Sequence, residues 1–119
     1  MSTIDIASVE RGYVECALWA SVDEDYEPLD LRGVEAIAPE TRSKMSADVA
    51  DFVDKNRALL ISSNLIAEDM GRDFWLTRNR EGSGFWDRNL GAIGDMLTVA
   101  CRTYPAIALY VGDDGKIYQ

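Results

Sequence analysis

Histidine is absent from this sequence of 119 residues, and cysteine occurs only twice. Histidine is the commonest general acid or base in enzymes, so its absence leaves carboxylates, cysteine, lysine or tyrosine for that chemistry. Cys16 and Cys101 lie far apart among small or apolar neighbours, as buried, reduced thiols do. No combination of residues stands out as a catalytic or metal-binding site. We therefore expect a protein that is not an enzyme and that uses neither a cofactor nor a metal ion.

Long hydrophobic runs are missing as well. The longest apolar stretches span only a few residues, whereas a membrane helix needs roughly 20, and residues 1–5 do not resemble the leader of a secreted protein. We expect a cytoplasmic protein that does not contact a membrane. A hydrophobic content of 47% is typical of a folded protein, and the length matches one compact domain, residues 1–119.

Positive charge is scarce. The chain has 12 lysines and arginines against 21 aspartates and glutamates, which gives a formal net charge of −9. Direct binding to nucleic acid requires a basic surface, so this charge argues against it. Residues 23–40 hold seven of the acidic residues and one arginine, Arg32. We expect a surface loop over residues 21–33, since Pro28 and Gly33 favour turns and no apolar period is present.

The first half of the chain carries two segments with the apolar spacing of amphipathic helices. One is residues 6–20, where Gly12 weakens the prediction and a strand over residues 14–20 is the alternative. The other begins at Pro39, which a first helical turn tolerates. Its apolar stripe is Met45, Val49, Phe52, Val53 and Leu60, opposite a charged face of Lys44, Asp48, Asp51 and Lys55 that we expect to face water.

Two further helices are predicted beyond a break at residues 61–64. A short one over residues 65–70 would be closed by Gly71 at the position after its C-cap. The other covers residues 90–101, with Asn89 as its N-cap and Pro105 as its stop.

Two hairpins are predicted in the second half of the chain. The first joins residues 73–78 to residues 84–88, each strand carrying a Phe-Trp pair, and its aromatic side chains should build the core. The second joins residues 107–111 to residues 116–118 across Gly112-Asp-Asp-Gly115. The predicted fold is α+β, with a small antiparallel sheet of two hairpins packed against three or four helices.

Charged residues of the first hairpin form one candidate site. Arg78 would lie across the hairpin from Asp87 and Arg88, so that guanidinium groups hold an active carboxylate, whereas the alternative is an ion pair that only fixes the strand register. The alternating acids from Asp23 to Glu27 lack the central glycine and the twelfth-position glutamate of a calcium loop, so we expect no metal there.

Several short motifs, each present once, are spread along most of the chain. They are Asp73-Phe-Trp-Leu-Thr-Arg-Asn79, Gly82-Ser-Gly-Phe-Trp-Asp-Arg88 and Leu109-Tyr-Val-Gly-Asp-Asp-Gly-Lys-Ile-Tyr118, with Pro28-Leu-Asp30 and Ile37-Ala-Pro-Glu40 in the acidic first half. With them the chain resembles a group of small acidic proteins encoded in bacteriophage and prophage genomes. Arg80-Glu81 departs from that group, which has smaller or less charged residues in this loop. The resemblance brings no established activity and no functional residues.

What the resemblance implies is a small phage protein that binds host machinery in the bacterial cytoplasm. Because an acidic surface can occupy the basic groove that a nucleic acid would use, the leading hypothesis is a non-enzymatic DNA mimic. It would be an inhibitor of the anti-CRISPR or antirestriction type that binds a host nucleic-acid-handling complex, such as a CRISPR effector or a restriction enzyme, as a monomer or dimer. Its contact residues would be Asp23, Glu24, Asp25, Glu27, Asp30 and Glu35, aided by Asp48, Asp51 and Asp54.

Three alternatives remain open. The chain is a phage accessory enzyme or small-molecule-binding module that uses Arg78, Asp87 and Arg88, or it is an oligomeric structural protein, or its acidic composition only confers solubility.

Overall fold

A computed structural model describes residues 3–119, which form four α-helices and one two-stranded antiparallel sheet. The fold is α+β in the coarse sense, but it is mostly helical and holds one hairpin rather than two. No helix in this range combines the length and the apolar character needed to cross a membrane. The elements are α1 (Ile6–Ala20), α2 (Pro39–Ser63), α3 (Ala67–Arg78), α4 (Ala92–Cys101), β1 (Tyr110–Val111) and β2 (Ile117–Tyr118), with short 3-10 helices at Leu29–Arg32, Val34–Ala36 and Phe85–Asp87.

The helix predicted at residues 6–20 is confirmed as α1. Asp5 is its N-cap, and the Asp5 carboxylate accepts a 3.1 Å hydrogen bond from the amide of Ala7. The predicted apolar stripe faces the core, where Val9, Tyr13 and Ala17 are each 0% exposed. The alternative of a strand over residues 14–20 is therefore wrong.

The helix predicted from Pro39 is confirmed as α2, and its apolar stripe is buried. It ends at Ser63, where Asn64 takes a left-handed conformation with φ of 58°. Asn56 departs from helical geometry, and its side-chain amide donates a 2.9 Å hydrogen bond to the carbonyl of Phe52. This bond marks a kink in the middle of the helix.

The hairpin predicted over residues 73–78 and 84–88 is wrong. Residues 73–78 are the second half of α3, and residues 85–87 form a 3-10 turn. Every residue from Asp73 to Arg78 is buried, so no exposed polar face reveals the helical period, and the aromatic run looks like a strand. The residues that favour a helix lie at its ends, with Glu68 and Asp69 in the first turn and Arg78 in the last.

The prediction that Gly71 ends a helix is wrong. Gly71 lies inside α3, where this helix crosses α1. A Cβ at Gly71 would sit 1.9 Å from the carbonyl oxygen of Val9, and a Cβ at Gly12 would sit 2.0 Å from the carbonyl oxygen of Glu68. Only glycine allows two helix backbones to approach this closely. The crossing gives α1 its most extensive contact in the fold.

The chain between α3 and α4 is held against α3 by Thr77. Its hydroxyl oxygen accepts a 3.2 Å hydrogen bond from the amide of Phe85, whose ring is 0% exposed. The helix predicted over residues 90–101 begins later, at Ala92, because Gly91 occupies the N-cap position. Asn89, predicted as the N-cap, instead adopts a left-handed conformation with φ of 60°.

Aromatic side chains from α2 and α3 form the centre of the core. The rings of Phe52 and Phe74 stack with their centroids 4.1 Å apart, and Phe85 packs 5.9 Å from Phe52. The expectation that the two Phe-Trp pairs supply core residues is confirmed for Phe74, Trp75 and Phe85. Trp86 is different, because 47% of it is exposed.

The predicted C-terminal hairpin is confirmed in a shorter form. Tyr110 lies opposite Tyr118, and Val111 lies opposite Ile117. The amide of Gly112 donates a 2.8 Å hydrogen bond to the carbonyl of Lys116, which closes the turn.

The second strand of the hairpin has a neighbour on each side. Ile117 forms a parallel bridge with Ile37, and the carbonyl of Ile117 accepts a 2.9 Å hydrogen bond from the amide of Ala38. β2 therefore lies between β1 and the segment that leads into α2. The other edge of β1 has no strand neighbour in the part of the chain that the structure describes.

Candidate functional site

The acidic segment is an ordered turn built on Asp23. The Asp23 carboxylate accepts hydrogen bonds from the amides of Asp25 at 2.8 Å and Glu27 at 3.0 Å, and it pairs with Arg32 at 3.2 Å. The hydrogen bond from the backbone of Glu27, more than any other contact, lowers the pKa of Asp23. Asp23 therefore folds the loop rather than presenting its carboxylate to a partner.

The other acids of this segment are exposed. In residues 3–119 none of them takes part in an ion pair. Two large apolar side chains stand out among them, since Tyr26 is 85% exposed and Leu31 is 73% exposed. Exposed aromatic and aliphatic side chains ringed by polar residues are typical of protein interaction surfaces. Within residues 3–119, the predicted contact residues of this segment that are exposed and outside any ion pair are Glu24, Asp25, Glu27, Asp30 and Glu35.

A groove of about 510 Å³ separates the acidic loop from β1. Residues 22–25 line one side, residues 109–113 line the other, and Arg32 completes the lining. Glu24, Asp25 and Asp113 are all exposed, so three carboxylates border the groove in addition to the paired carboxylate of Asp23. The groove therefore carries strong negative charge, which Arg32 does not offset because Arg32 is paired with Asp23.

The three α2 acids proposed as partner contacts differ from one another. Asp48 pairs with Arg78 at 2.8 Å, and Asp51 accepts a 2.5 Å hydrogen bond from the hydroxyl of Tyr104. The bond from Tyr104 is the main reason that the pKa of Asp51 is lowered. The prediction that Asp48 and Asp51 simply face water is corrected, because each binds a side chain from another part of the chain. Asp54 is exposed.

Arg78, the first residue of the alternative site, is buried in the core with 1% exposure. Its Nη1 donates to the hydroxyl of Tyr13 at 3.1 Å and to Asp48, while Nε and Nη2 donate to the carbonyl of Pro105 at 3.1 and 2.8 Å. The guanidinium also lies 5.4 Å from the centroid of the Phe74 ring. Arg78 thus joins α3 to α1, to α2 and to the chain after α4.

Arg88 belongs to a separate network. Its Nε donates to the carboxylate of Asp73, its Nη2 donates to Oδ1 of Asp73 at 3.2 Å, and Asp69 lies 3.5 Å from its Nη1. Burial raises the pKa of Asp73, which is 2% exposed, while the bond from Arg88 opposes that rise. The carboxylate and the guanidinium therefore neutralise each other at the side of α3.

Asp87, the last residue of the alternative site, accepts a 3.0 Å hydrogen bond from the amide of Gly84. It lines a cleft of about 340 Å³ together with Trp19, Arg72 and Arg88. Since the predicted hairpin is not formed, Arg78 does not lie across from Asp87 and Arg88. Asp87 and Arg88 line the same cleft, whereas Arg78 is buried in the core.

Sequence reasoning misses two acidic residues, Asp113 of the groove and Asp73 of the Arg88 network. The sequence predicts only a turn at Asp113, because nothing local indicates that this turn folds beside the acidic loop. Asp73 was assigned to a strand, although its spacing of four residues from Asp69 would place both carboxylates on one face of a helix.

Among residues 3–119 no group of three or more acidic or cysteine side chains is arranged to hold a metal ion. Comparison of the chain with protein-family models, with curated proteins and with solved structures finds no match. We refer to the groove and the exposed, unpaired acidic residues beside it within residues 3–119 as the acidic surface.

Proposed function

We propose that this protein is a non-enzymatic inhibitor of the phage type, similar in action to anti-CRISPR or antirestriction proteins, which binds a host nucleic-acid-handling complex through the acidic surface. The observation that supports this proposal is the set of exposed loop carboxylates that lie outside any ion pair within residues 3–119, next to exposed Tyr26 and Leu31.

Unpaired carboxylates on a small protein have two effects on a partner. They attract a surface rich in lysine and arginine, which raises the rate of association and makes it sensitive to salt. They also occupy positions that phosphate groups would otherwise take in a nucleic-acid-binding groove. The exposed side chains of Tyr26 and Leu31 would add apolar contact area, which typically supplies much of the binding energy in an interface.

The alternative of a small-molecule site at Arg78, Asp87 and Arg88 has weaker support. Arg78 is enclosed in the core, and Arg88 is engaged by Asp73. A ligand would have to displace these contacts before it reached either guanidinium.

The proposal is tested by capture from a bacterial lysate with purified, tagged protein, followed by mass spectrometry of what is retained. The wild-type chain should retain a complex that itself binds DNA or RNA, and a short DNA or RNA duplex should compete with that retention. The variant for comparison is Glu24→Lys combined with Asp25→Lys, since these side chains are free, whereas reversal of Asp23 would unfold the loop. We expect this double variant to lose at least about tenfold in capture.

A matched control carries the same change of net charge elsewhere. Glu15→Lys combined with Asp95→Lys alters two exposed helical positions, on α1 and α4, and should capture the complex like the wild type. If the Glu24 and Asp25 variant captures the same complex as strongly as this control, in both low and high salt, the acidic loop is not the contact surface and the proposal fails.

A further inference from the structure

Within residues 3–119, the outer edge of β1 presents backbone groups that are not hydrogen-bonded to another strand. In an antiparallel pair, residues alternate between those that bond across the pair and those whose N–H and C=O point away from it. The carbonyl of Ile117 points away from β1, because it accepts the bond from Ala38. Val111 lies opposite Ile117, so its N–H and C=O point away from β2.

The backbone N–H and C=O of Val111 point toward the acidic groove. The groove is lined by residues 109–113, and β2 contributes no lining residue. The far side of the groove carries Glu24 and Asp25, and Asp113 lies at the turn end of β1. Backbone donors and acceptors on one side therefore face free carboxylates on the other.

We propose that this groove binds an extended basic segment of a partner protein, which adds to the edge of β1 as a third strand and places lysine or arginine side chains against Glu24, Asp25 and Asp113. The inference rests on the proposed function and specifies how the partner is held. Addition of a peptide to an exposed strand is a general mode of recognition, in which main-chain hydrogen bonds give affinity and side chains give specificity.

Charge and shape identify the occupant. A second copy of this chain would bring another net charge of −9 to a negative groove, so it is repelled. A basic helix would match the charge. Its backbone groups are already hydrogen-bonded within the helix, however, so it could not bond to the N–H and C=O of Val111. Residues 109–112 span about 13 Å in an extended chain, which suits a segment of about four residues.

Tyr110 offers a further contact for such a segment. Its ring is 55% exposed and lies 5.9 Å from the ring of Tyr118 on the hairpin. An arginine or lysine side chain laid across this face would gain a cation–π contact beside the carboxylates.

The test uses a fluorescein-labelled peptide of sequence Lys-Val-Lys-Val-Lys-Val and fluorescence anisotropy with the full chain. We expect the peptide to bind at low salt and to weaken as salt is added. Two versions methylated at alternate backbone nitrogens keep all the positive charge, and one of them should bind at least tenfold more weakly because it lacks the bonds to β1. The version with Glu in place of Lys should not bind.

Protein variants locate the contact. Glu24→Gln combined with Asp25→Asn should weaken binding through charge, and Val111→Pro should weaken it through the lost edge N–H, a change that edge strands tolerate. Hydrogen exchange of the Val111 amide in the wild-type chain gives a measurement that does not depend on a variant. It should slow when the peptide is bound.

Equal binding of both methylated peptides and the parent, or an unchanged exchange rate at Val111, would overturn the inference. Its failure differs from that of the proposed function. If the peptide ignores the edge while Glu24→Lys with Asp25→Lys still abolishes capture of the host complex, only the strand addition is wrong. If capture survives that double variant, the proposed function is wrong whatever the peptide does.

Discussion

The guanidinium of Arg78, 1% exposed, donates a 2.8 Å hydrogen bond to the carboxylate of Asp48 and so holds α3 against α2. We expect Asp48→Ala to lower the free energy of unfolding by about 2 kcal/mol, because it leaves the buried guanidinium with only Tyr13 and Pro105 as hydrogen-bond partners. The loss is smaller than for a fully buried pair because Asp48 itself is partly exposed. Urea denaturation measures this change. Asp54→Ala on the same helix is the control and should change it by less than about 0.5 kcal/mol. Equal midpoints for the two variants would contradict the role given to the pair.

The crossing of α1 and α3 predicts a strong effect of a single methyl group. Gly71→Ala would place its Cβ against the Val9 carbonyl oxygen, so we expect a loss of about 3 kcal/mol or more in unfolding free energy as the helices separate. Thermal and urea unfolding both report this loss. Gly82→Ala adds the same methyl group in open space and should leave stability nearly unchanged. A Gly71→Ala variant as stable as Gly82→Ala would show that the helices can move apart freely.

Both cysteines should be unreactive in the folded protein. Burial raises the pKa of Cys16 to about 11 and also raises the pKa of Cys101, which is 0% exposed. At pH 8 we expect slow reaction with a thiol-specific reagent, and rapid reaction of two thiols once urea is added. Ser83→Cys, at an exposed loop position, supplies a fast-reacting reference thiol. Wild-type labelling at the rate of this reference would contradict the burial.

The hydrogen bond from Tyr104 to Asp51 predicts a stability difference that depends on pH. The pKa of Asp51 is lowered below 3.8 in the folded state, so its contribution is fully present above pH 3.8 and is lost as the pH falls through the folded value. Asp51→Asn should therefore unfold at lower urea than wild type at pH 6, and this gap should close in stronger acid. Tyr104→Phe removes the same bond from the other side and should behave alike. A gap that persists undiminished at about pH 2 would contradict this cause.

The sequence predicts the helices well where one face is buried and the other is wet. α1 and α2 meet this condition, and the spacing of their apolar residues can be recognised in the amino-acid sequence. α3 does not, because its second half is buried on every side and the sequence there has no polar face. Aromatic residues then suggest a strand, and only the charges at the helix ends favour a helix.

Less of the candidate site follows from the sequence. The acidity of residues 23–40 is evident, but the division between Asp23, which folds the loop, and its free neighbours depends on hydrogen bonds to the backbone. The role of Asp48 depends on Arg78, thirty positions away. Asp113 joins the groove only because the hairpin folds back beside the loop. Such long-range placements are set by tertiary packing, which local patterns do not encode.

The glycine crossing also governs the order in which the chain can assemble. α1 is made before α2, yet its main partner, α3, follows only after the whole of α2. The hydroxyl of Tyr13 accepts a hydrogen bond from Arg78, which lies 65 positions further along the chain, so this bond forms only after Arg78 has been synthesised. The part of α1 that packs on α3 therefore stays uncovered on the nascent chain until α3 emerges, and the closure of this long loop completes the burial of α1.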